Sequence, residues 1–237
     1  MLDRRNMLKT LGAGAAGGLT LAGAAEAEAA LTAQASEALG PYARPWSPPN
    51  DKDPHAQNIV ALSDDYFVPG RFAGKTVIVT GCARGMGRMA AIRLAREGAN
   101  VVGVDWLADE GRAVIDGIRR DGGKAVFVPG DVSENAVCDR MVATAVDQYG
   151  GLDAALNNAG VMDAIYPGDP IDYDKQKSLI MARIDQASDD YWDVVMRVNA
   201  TGVFRCLRAE LRQMMKQNRG GAIVNVASVA GLRGFGG

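Results

Sequence analysis

The sequence predicts an α/β fold in which helices cover both faces of a doubly wound parallel sheet. Two observations support this fold class. Short, continuous apolar runs recur along the chain, and such runs are typical of strands buried on both faces of a parallel sheet. Helical hydrophobic patterns separate these runs, and alternating strands and helices indicate a doubly wound arrangement. The 237 residues, 48% hydrophobic and 23% charged, are enough for one sizeable domain with its own core.

The individual elements follow from the same patterns. Apolar runs predict five strands, at residues 75–80, 100–105, 124–129, 152–157 and 222–227. Hydrophobic residues at helical spacing predict helices within residues 86–97, 137–149, 191–195 and 204–215. Gly98 and Gly150 follow the first two helices as stops, while Ser133 and Ser188 are the expected N-caps of the second and third.

The first 29 residues have the layout of an export signal. Arg4, Arg5 and Lys9 precede an uncharged stretch of small and apolar residues that reaches Ala25, and small-residue steps follow it. The paired arginines resemble a bacterial twin-arginine signal, so we expect export to the periplasm or another extracytoplasmic space. Two alternatives remain. The glycine content disfavours an alanine-rich helix of the fold, and the short apolar stretch disfavours a lasting membrane anchor.

Residues 30–70 are expected to form a proline-rich linker or a segment that wraps the domain. Prolines at positions 41, 45, 48, 49 and 54 oppose regular helix there. Tyr42, Trp46, Tyr66 and Phe67 indicate that parts of this segment pack on the domain. Residues 71–237 are then the α/β domain itself.

Charge, histidine and cysteine content exclude several classes of function. A net charge of −2 gives no electrostatic basis for a nucleic-acid partner. The only histidine, His55, lies in a polar stretch, so a histidine-based triad or a histidine-rich metal site is excluded. Cys82, Cys138 and Cys206 are widely spaced, which predicts free thiols rather than a disulfide framework or metal ligands.

A glycine-rich stretch, T-G-C-A-R-G-M-G at residues 80–87, joins the first predicted strand to the first predicted helix. Its glycines permit a tight turn and close approach of the backbone to a pyrophosphate, and the helix N-terminus adds free N–H groups. A glycine cluster alone is equally compatible with a simple turn, but its place between strand and helix favours a Rossmann-type dinucleotide site. We expect the dinucleotide cofactor to contact Gly81, Arg84, Gly85, Met86 and Gly87.

Asp105 ends the second predicted strand, and its position bears on the choice of cofactor. A carboxylate there accepts from both ribose hydroxyls of NAD and repels the 2′-phosphate of NADP. The next residue is Trp106 rather than an arginine, so NAD is the expected cofactor and NADP the less favoured alternative. Arg84 is a basic residue in the glycine loop that would be able to contact the 2′-phosphate of NADP, so NADP remains an alternative.

Several motifs in order now resemble those of the short-chain dehydrogenase/reductase family. Besides the T-G-x-x-x-G-x-G spacing, the chain carries Asp131-Val132 after the third strand and N-N-A-G at residues 157–160 after the fourth. The stretches V-N-A-T-G at residues 198–202 and I-V-N-V-A-S at residues 223–228 also match. The resemblance covers residues 72–237, and the ordered set is far more specific than any one motif.

The resemblance implies roles for further residues. Asp131 and Val132 are expected to flank the adenine ring, and Asn158, Ala159 and Gly160 to line the cofactor site. Asn199 corresponds to the family's active-site Asn, which holds a water of the proton relay. Ser228 corresponds to the Ser that hydrogen-bonds the substrate carbonyl or hydroxyl.

The implied reaction is hydride transfer between the nicotinamide and a secondary alcohol or ketone, which also needs an acid/base for the proton. The family uses Tyr-x-x-x-Lys, which is expected just after Gly237, so we expect this chain to be a C-terminally truncated and inactive fragment with an uncovered fifth strand. Tyr173 and Lys177 have the spacing but precede Asn199 and Ser228 in a polar insert, so we do not assign them this role.

Two other classes of function stay open at this point. One is a noncatalytic dinucleotide-binding module, and the other is a nucleotide-binding methyltransferase, against which the N-N-A-G, Asn199 and Ser228 set argues. No metal is expected, nor is a lasting membrane span. The complete protein is expected to form homo-oligomers, as the family commonly does.

Overall fold

The computed structural model describes residues 66–165 and 169–231, all within one compact unit, Asp64–Gly237. The expected export signal, most of the proline-rich segment and His55 lie outside the described residues. None of the helices within the described residues has the length and hydrophobicity that a membrane span requires.

Five parallel strands form one sheet in the order β3-β2-β1-β4-β5. The strands are β1 (Thr76–Thr80), β2 (Asn100–Asp105), β3 (Lys124–Pro129), β4 (Ala154–Asn157) and β5 (Ala222–Asn225). The helices are α1 (Gly85–Arg96), α2 (Ala108–Arg120), α3 (Asn135–Tyr149), α4 (Asp189–Met196) and α5 (Val203–Gln217). A π-helical segment, Arg197–Gly202, joins α4 to α5, and a short 3₁₀ turn, Val229–Gly231, follows β5. The predicted doubly wound fold is confirmed.

Alternate residues of each strand face opposite layers, which gives the domain two hydrophobic cores. Val77 and Val79 of β1 pack in one core with residues of α1 and α2. Ile78, between them, packs in the other core with residues of α3 and α5. This arrangement explains why the strands read as continuous apolar runs. Helix α2 was not singled out from the sequence, although Val114, Ile115 and neighbouring buried positions follow helical spacing.

The two predicted N-caps have different outcomes. Ser188 accepts a hydrogen bond from the amide of Tyr191 at 3.1 Å, as expected for an N-cap. The prediction for Ser133 is wrong, because α3 starts at Asn135 with Glu134 as its N-cap and no capping side chain. The Ser133 hydroxyl instead accepts from Arg197 at 2.8 Å, a tertiary contact that local sequence does not show.

The end of the proline-rich segment packs on α1, as expected for its aromatic residues. Tyr66 lies 5.1 Å from the Arg93 guanidinium, and Phe67 lies 4.3 Å from that of Arg96. The buried Glu97 carboxylate accepts from the amide of Val68 at 3.0 Å and from Arg93 at 3.2 Å. These contacts attach the chain to the domain just before β1. Tyr42 and Trp46 lie outside the described residues.

Among the described residues, β5 forms an outer edge of the sheet, next to β4. Val224 is 58% exposed, unlike the buried valines of β1 and β2. The expectation that the fifth strand is uncovered agrees with this exposure.

Candidate functional site

The glycine loop between β1 and α1 has a shape that side chains would block. Gly81 and Gly85 have positive φ angles of 71° and 51°, which glycine adopts without strain. A Cβ on Gly87 would overlap the Gly81 carbonyl, so the helix can approach the loop only with glycine there. The loop leads directly into the N-terminus of α1, whose first turn carries no acidic residue. This cradle fits a dinucleotide pyrophosphate.

Thr80, the last residue of β1, connects the glycine loop to the segment that follows β4. Its Oγ1 accepts hydrogen bonds from the amides of Asn158 and Ala159, each at 3.0 Å. The Asn158 side chain in turn donates to the Gly81 carbonyl at 3.4 Å. The N-N-A-G segment is therefore fixed against the glycine loop. Thr80 was not assigned a role from the sequence, although it opens the glycine motif.

Asp105 lies at the end of β2 with its carboxylate at the groove. Its Oδ2 accepts from the amide of Ala83 at 2.8 Å, and its Oδ1 accepts from the amide of Leu107 at 2.9 Å. These bonds fix the carboxylate between the glycine loop and the turn after β2. Each carboxylate oxygen has a further lone pair, so the group can still accept from ribose hydroxyls.

Arg84 extends from the glycine loop to α2. Its Nη2 contacts Glu110 Oε1 at 2.7 Å, and both side chains are substantially exposed. A backbone N–H bond and the bond from Arg84 hold the pKa of Glu110 below its usual range. The guanidinium on the rim of the groove is thus already paired with a carboxylate.

A groove of about 480 Å³ brings the predicted cofactor residues together. All of them except Gly87, which packs beneath the loop, line it, namely Gly81, Arg84, Gly85, Met86, Asp105, Asp131, Val132, Asn158, Ala159 and Gly160. Trp106, Leu107, Val161 and Met162 also line the groove and were not predicted as site residues. They directly follow Asp105 and the N-N-A-G segment in the sequence, and this position after a strand end could have identified them as groove residues.

Asp131 is held by bonds to two different elements. Its Oδ1 accepts from the amide of Ser133 at 2.8 Å, and its Oδ2 accepts from Arg197 at 2.9 Å. Arg197 begins the π-helical segment that contains Asn199. Arg197 therefore connects the groove wall at Asp131 to the segment expected to carry the active-site Asn, a role that no local sequence motif indicated.

Asn199 and Ser228, the two residues expected to act in the reaction, lie in different settings. The Asn199 side chain accepts from the Val161 amide at 2.8 Å and donates to the Val161 carbonyl at 2.8 Å. It therefore fixes the backbone immediately after Gly160. Ser228 lies beyond β5, is exposed, and accepts from the amide of Ala230 at 3.1 Å. Ser228 does not line the groove.

A buried polar cluster links the ends of β4 and β5 to α5. Asn157 Nδ2 donates to Glu210 Oε2 and to Asn225 Oδ1, both at 3.0 Å. The remaining oxygens, Asn157 Oδ1 and Glu210 Oε1, have no hydrogen-bond partner in the described part of the chain. Burial raises the pKa of Glu210 to about 7, while the bond from Asn157 lowers it. Asn157 is also the first residue of the N-N-A-G segment, so this cluster fixes the start of that segment against α5 and β5.

The described residues contain no group of three or more His, Cys, Asp or Glu side chains placed to hold a metal ion.

Comparisons with known proteins agree with this geometry. The family model described as short chain dehydrogenase matches residues 75–237. A 3β-hydroxysteroid dehydrogenase of Mediterraneibacter gnavus is 40% identical over 169 residues, covering 71% of this chain and 55% of that protein. This family match excludes the methyltransferase alternative.

Two solved structures share the fold. The crystal structure of an NAD⁺-bound xylitol dehydrogenase has a TM-score of 0.59 and 31% identity, covering 70% of this chain and 57% of that one. A citronellol catabolism dehydrogenase of Pseudomonas aeruginosa PAO1 has a TM-score of 0.58 and 31% identity, covering 71% and 62%.

The chain spans a little over half the length of the curated relatives it matches. The glycine loop, the N-N-A-G segment and the family match together show that this chain belongs to the short-chain dehydrogenase family.

Proposed function

We propose that the complete protein is an NAD-dependent oxidoreductase that transfers a hydride between the nicotinamide and a secondary alcohol or ketone. The observation that carries this proposal is the groove formed by the glycine loop, Asp105 and the N-N-A-G segment. Because there is no room for a Cβ at Gly87, the glycine loop packs closely on the start of α1, which suits close contact of the loop with a pyrophosphate.

The preference for NAD over NADP rests on the charges around the ribose end of the groove. Asp105 is fixed by two backbone amides, so it cannot easily turn away from a 2′-phosphate. Arg84, the cation that could attract this phosphate, is paired with Glu110. Both features favour a free 2′-hydroxyl.

When bound, the nicotinamide supplies or accepts the hydride. Ser228 is proposed to donate its hydroxyl hydrogen to the substrate oxygen, since its Oγ already accepts from Ala230. Asn199 is proposed to hold the relay water, and its two side-chain bonds to Val161 fix its position beside the end of the N-N-A-G segment.

The acid/base that moves the substrate proton is proposed to be a Tyr-x-x-x-Lys on a segment that follows Gly237. The match to little more than half of the relatives' length supports this proposal. Tyr173 and Lys177 are poor candidates, because Tyr173 is 69% exposed and Lys177 pairs with Asp174 at 3.7 Å. The 237-residue chain is thus proposed to bind NAD without turning over alcohols.

Two further proposals concern the whole protein. We propose export by the twin-arginine-like signal, which replacement of Arg4 and Arg5 by lysine would block in a cell-fractionation assay. We also propose homo-oligomers formed through α5, on which Phe204, Leu211 and Met215 are exposed. Light scattering of the complete protein tests the second proposal.

Calorimetric titration of the purified chain with NAD⁺ tests the central proposal. Binding is expected, with at least about a tenfold loss of affinity in Asp105→Ala and no change in Asp139→Ala, an exposed carboxylate on α3. The complete protein, with the segment after Gly237, should then oxidise a secondary alcohol. NAD⁺ binding without any turnover of alcohols would favour a noncatalytic dinucleotide-binding module. Absence of NAD⁺ binding would overturn both the oxidoreductase and the binding module.

A further inference from the structure

Two of the three cysteines meet inside the domain although they are far apart in sequence. Cys138 on α3 and Cys206 on α5 have their Sγ atoms 3.7 Å apart, and 68 positions separate them along the chain. Both side chains are 1% exposed and belong to the same hydrophobic core. Cys82 is buried in the other core, on the opposite face of the sheet.

Hydrogen bonds give the two thiols different roles. The Cys138 thiol donates to the carbonyl of Val132 at 3.2 Å, which leaves its sulfur to accept from the Cys206 thiol. The bond from Cys206 lowers the pKa of the Cys138 thiol, whereas the same contact and burial raise that of Cys206. Cys138 is therefore the sulfur better suited to react as a thiolate.

The position of Cys138 also offers a route for an oxidant. It lies in the first turn of α3, which begins at Asn135 and whose N-cap, Glu134, makes no side-chain capping bond. The Cys138 amide bonds the Glu134 carbonyl at 3.3 Å. Helix ends open at lower free energy than helix interiors, so transient opening of this turn exposes the sulfur.

We propose that Cys138 and Cys206 are a disulfide-forming pair that joins α3 to α5. The oxidant is a low-molecular-weight disulfide. The Cys138 thiolate attacks one of its sulfurs, forms a mixed disulfide and releases one thiolate. Cys206 loses its proton to solvent and attacks the Cys138 sulfur, which releases the second thiolate. The two cysteines are oxidised by two electrons and the small disulfide is reduced to two thiols.

The closure requires little movement. A disulfide has an S–S distance of about 2.05 Å, so the two sulfurs must approach by somewhat less than about 2 Å. The bond would close a long loop that includes β4 and the N-N-A-G segment. Long loops gain the most from such a constraint on the unfolded chain.

Peptide mapping of the full 237-residue chain tests the proposal. The folded protein is incubated with oxidised glutathione, quenched with N-ethylmaleimide in urea so that buried thiols also react, and digested with trypsin without reduction. The expected product is a linked pair of peptides, residues 125–140 and 206–208, with Cys82 recovered as its maleimide adduct in residues 76–84. The oxidised chain should unfold about 5–15 °C higher, and dithiothreitol should reverse this shift.

Matched variants separate the disulfide from general effects of oxidation. Cys206→Ala should lose both the linked peptides and the shift in unfolding temperature, whereas Cys82→Ala should keep both. Recovery of unlinked Cys138 and Cys206, a stable glutathione adduct on Cys138 in the parent chain, or a shift that persists in Cys206→Ala would overturn the proposal. None of these readouts depends on cofactor binding or enzyme activity.

Discussion

The hydroxyl of Thr80 holds the backbone of Asn158 in place, through a bond of 3.0 Å from the Asn158 amide to Thr80 Oγ1. The same oxygen accepts from the next amide, that of Ala159, at 3.0 Å. One side chain at the end of β1 thus positions the segment after β4 against the glycine loop. Because the neighbouring strands are parallel, their carboxyl ends meet at one edge of the sheet, where dinucleotides bind in such folds.

Replacement of Thr80 by valine tests this relationship. The substitution keeps the shape and leaves two amides without their acceptor, so we expect the free energy of unfolding to fall by about 2–4 kcal/mol. Thr80→Ser retains the oxygen and should lose much less. Urea denaturation followed by circular dichroism measures both variants. Little loss in Thr80→Val together with a larger loss in Thr80→Ser would show that the methyl group, not the hydroxyl, is the important contact.

Gly87→Ala should prevent dinucleotide binding. Its Cβ would overlap the Gly81 carbonyl, so the loop must shift away from the pyrophosphate position. Gly117→Ala is the matched control, because a Cβ there meets only the flexible end of Arg120 at 3.7 Å and α2 should gain about 0.5–1 kcal/mol. Calorimetric titration with NAD⁺ checks both variants. Unchanged affinity in Gly87→Ala would rule out the glycine loop as the phosphate site.

Glu110→Gln should increase affinity for NADP. The substitution removes the carboxylate paired with Arg84 and frees the guanidinium to meet a 2′-phosphate. We expect a gain of about three- to tenfold for NADP and little change for NAD. Asp109→Asn, which removes the neighbouring charge in the same helical turn, is the control. An equal gain in this control would indicate a general effect of net charge rather than release of Arg84.

Glu210→Gln should change how stability depends on pH. Burial raises the pKa of Glu210 from 4.5 to about 7. The stabilisation of the folded state by the protonated carboxyl is therefore fully present below about pH 4.5 and is lost as the pH rises to about 7. Relative to Glu210→Gln, the parent chain should lose about 1.4 kcal/mol of unfolding free energy per pH unit across this window. Urea denaturation from pH 4.5 to 8 measures this difference. A constant difference between the two proteins would contradict the shifted ionisation.

Local patterns in the sequence were sufficient for most of the fold. Strand positions followed from apolar runs, and the boundaries of β2 and β3 agree with the predicted ranges. The start of β4 and the end of β5 differ by two residues, which is ordinary for element ends. The glycine loop and Asp105 were also evident, because their roles depend on position relative to a strand and a helix.

The partners of polar side chains could not be predicted from local sequence patterns. Ser133 follows a strand and precedes a helix, which locally predicts an N-cap, but Arg197 binds its hydroxyl from the π-helical segment. Arg197 and Glu210 gave no signal of their own, since each acts through a residue more than fifty positions away. No periodicity in the sequence encodes such a pairing.

The sequence by itself determined the α/β fold, the order of its five strands along the chain, and the loop that suits a pyrophosphate. Hydrophobic spacing and glycine placement act over a few residues, so they can be interpreted without knowing the packing. Tertiary structure alone decided that Arg84 pairs with Glu110 and that Cys138 meets Cys206. These contacts arise because a parallel sheet and its layers of helices bring distant segments together, and their partners are set by packing across elements.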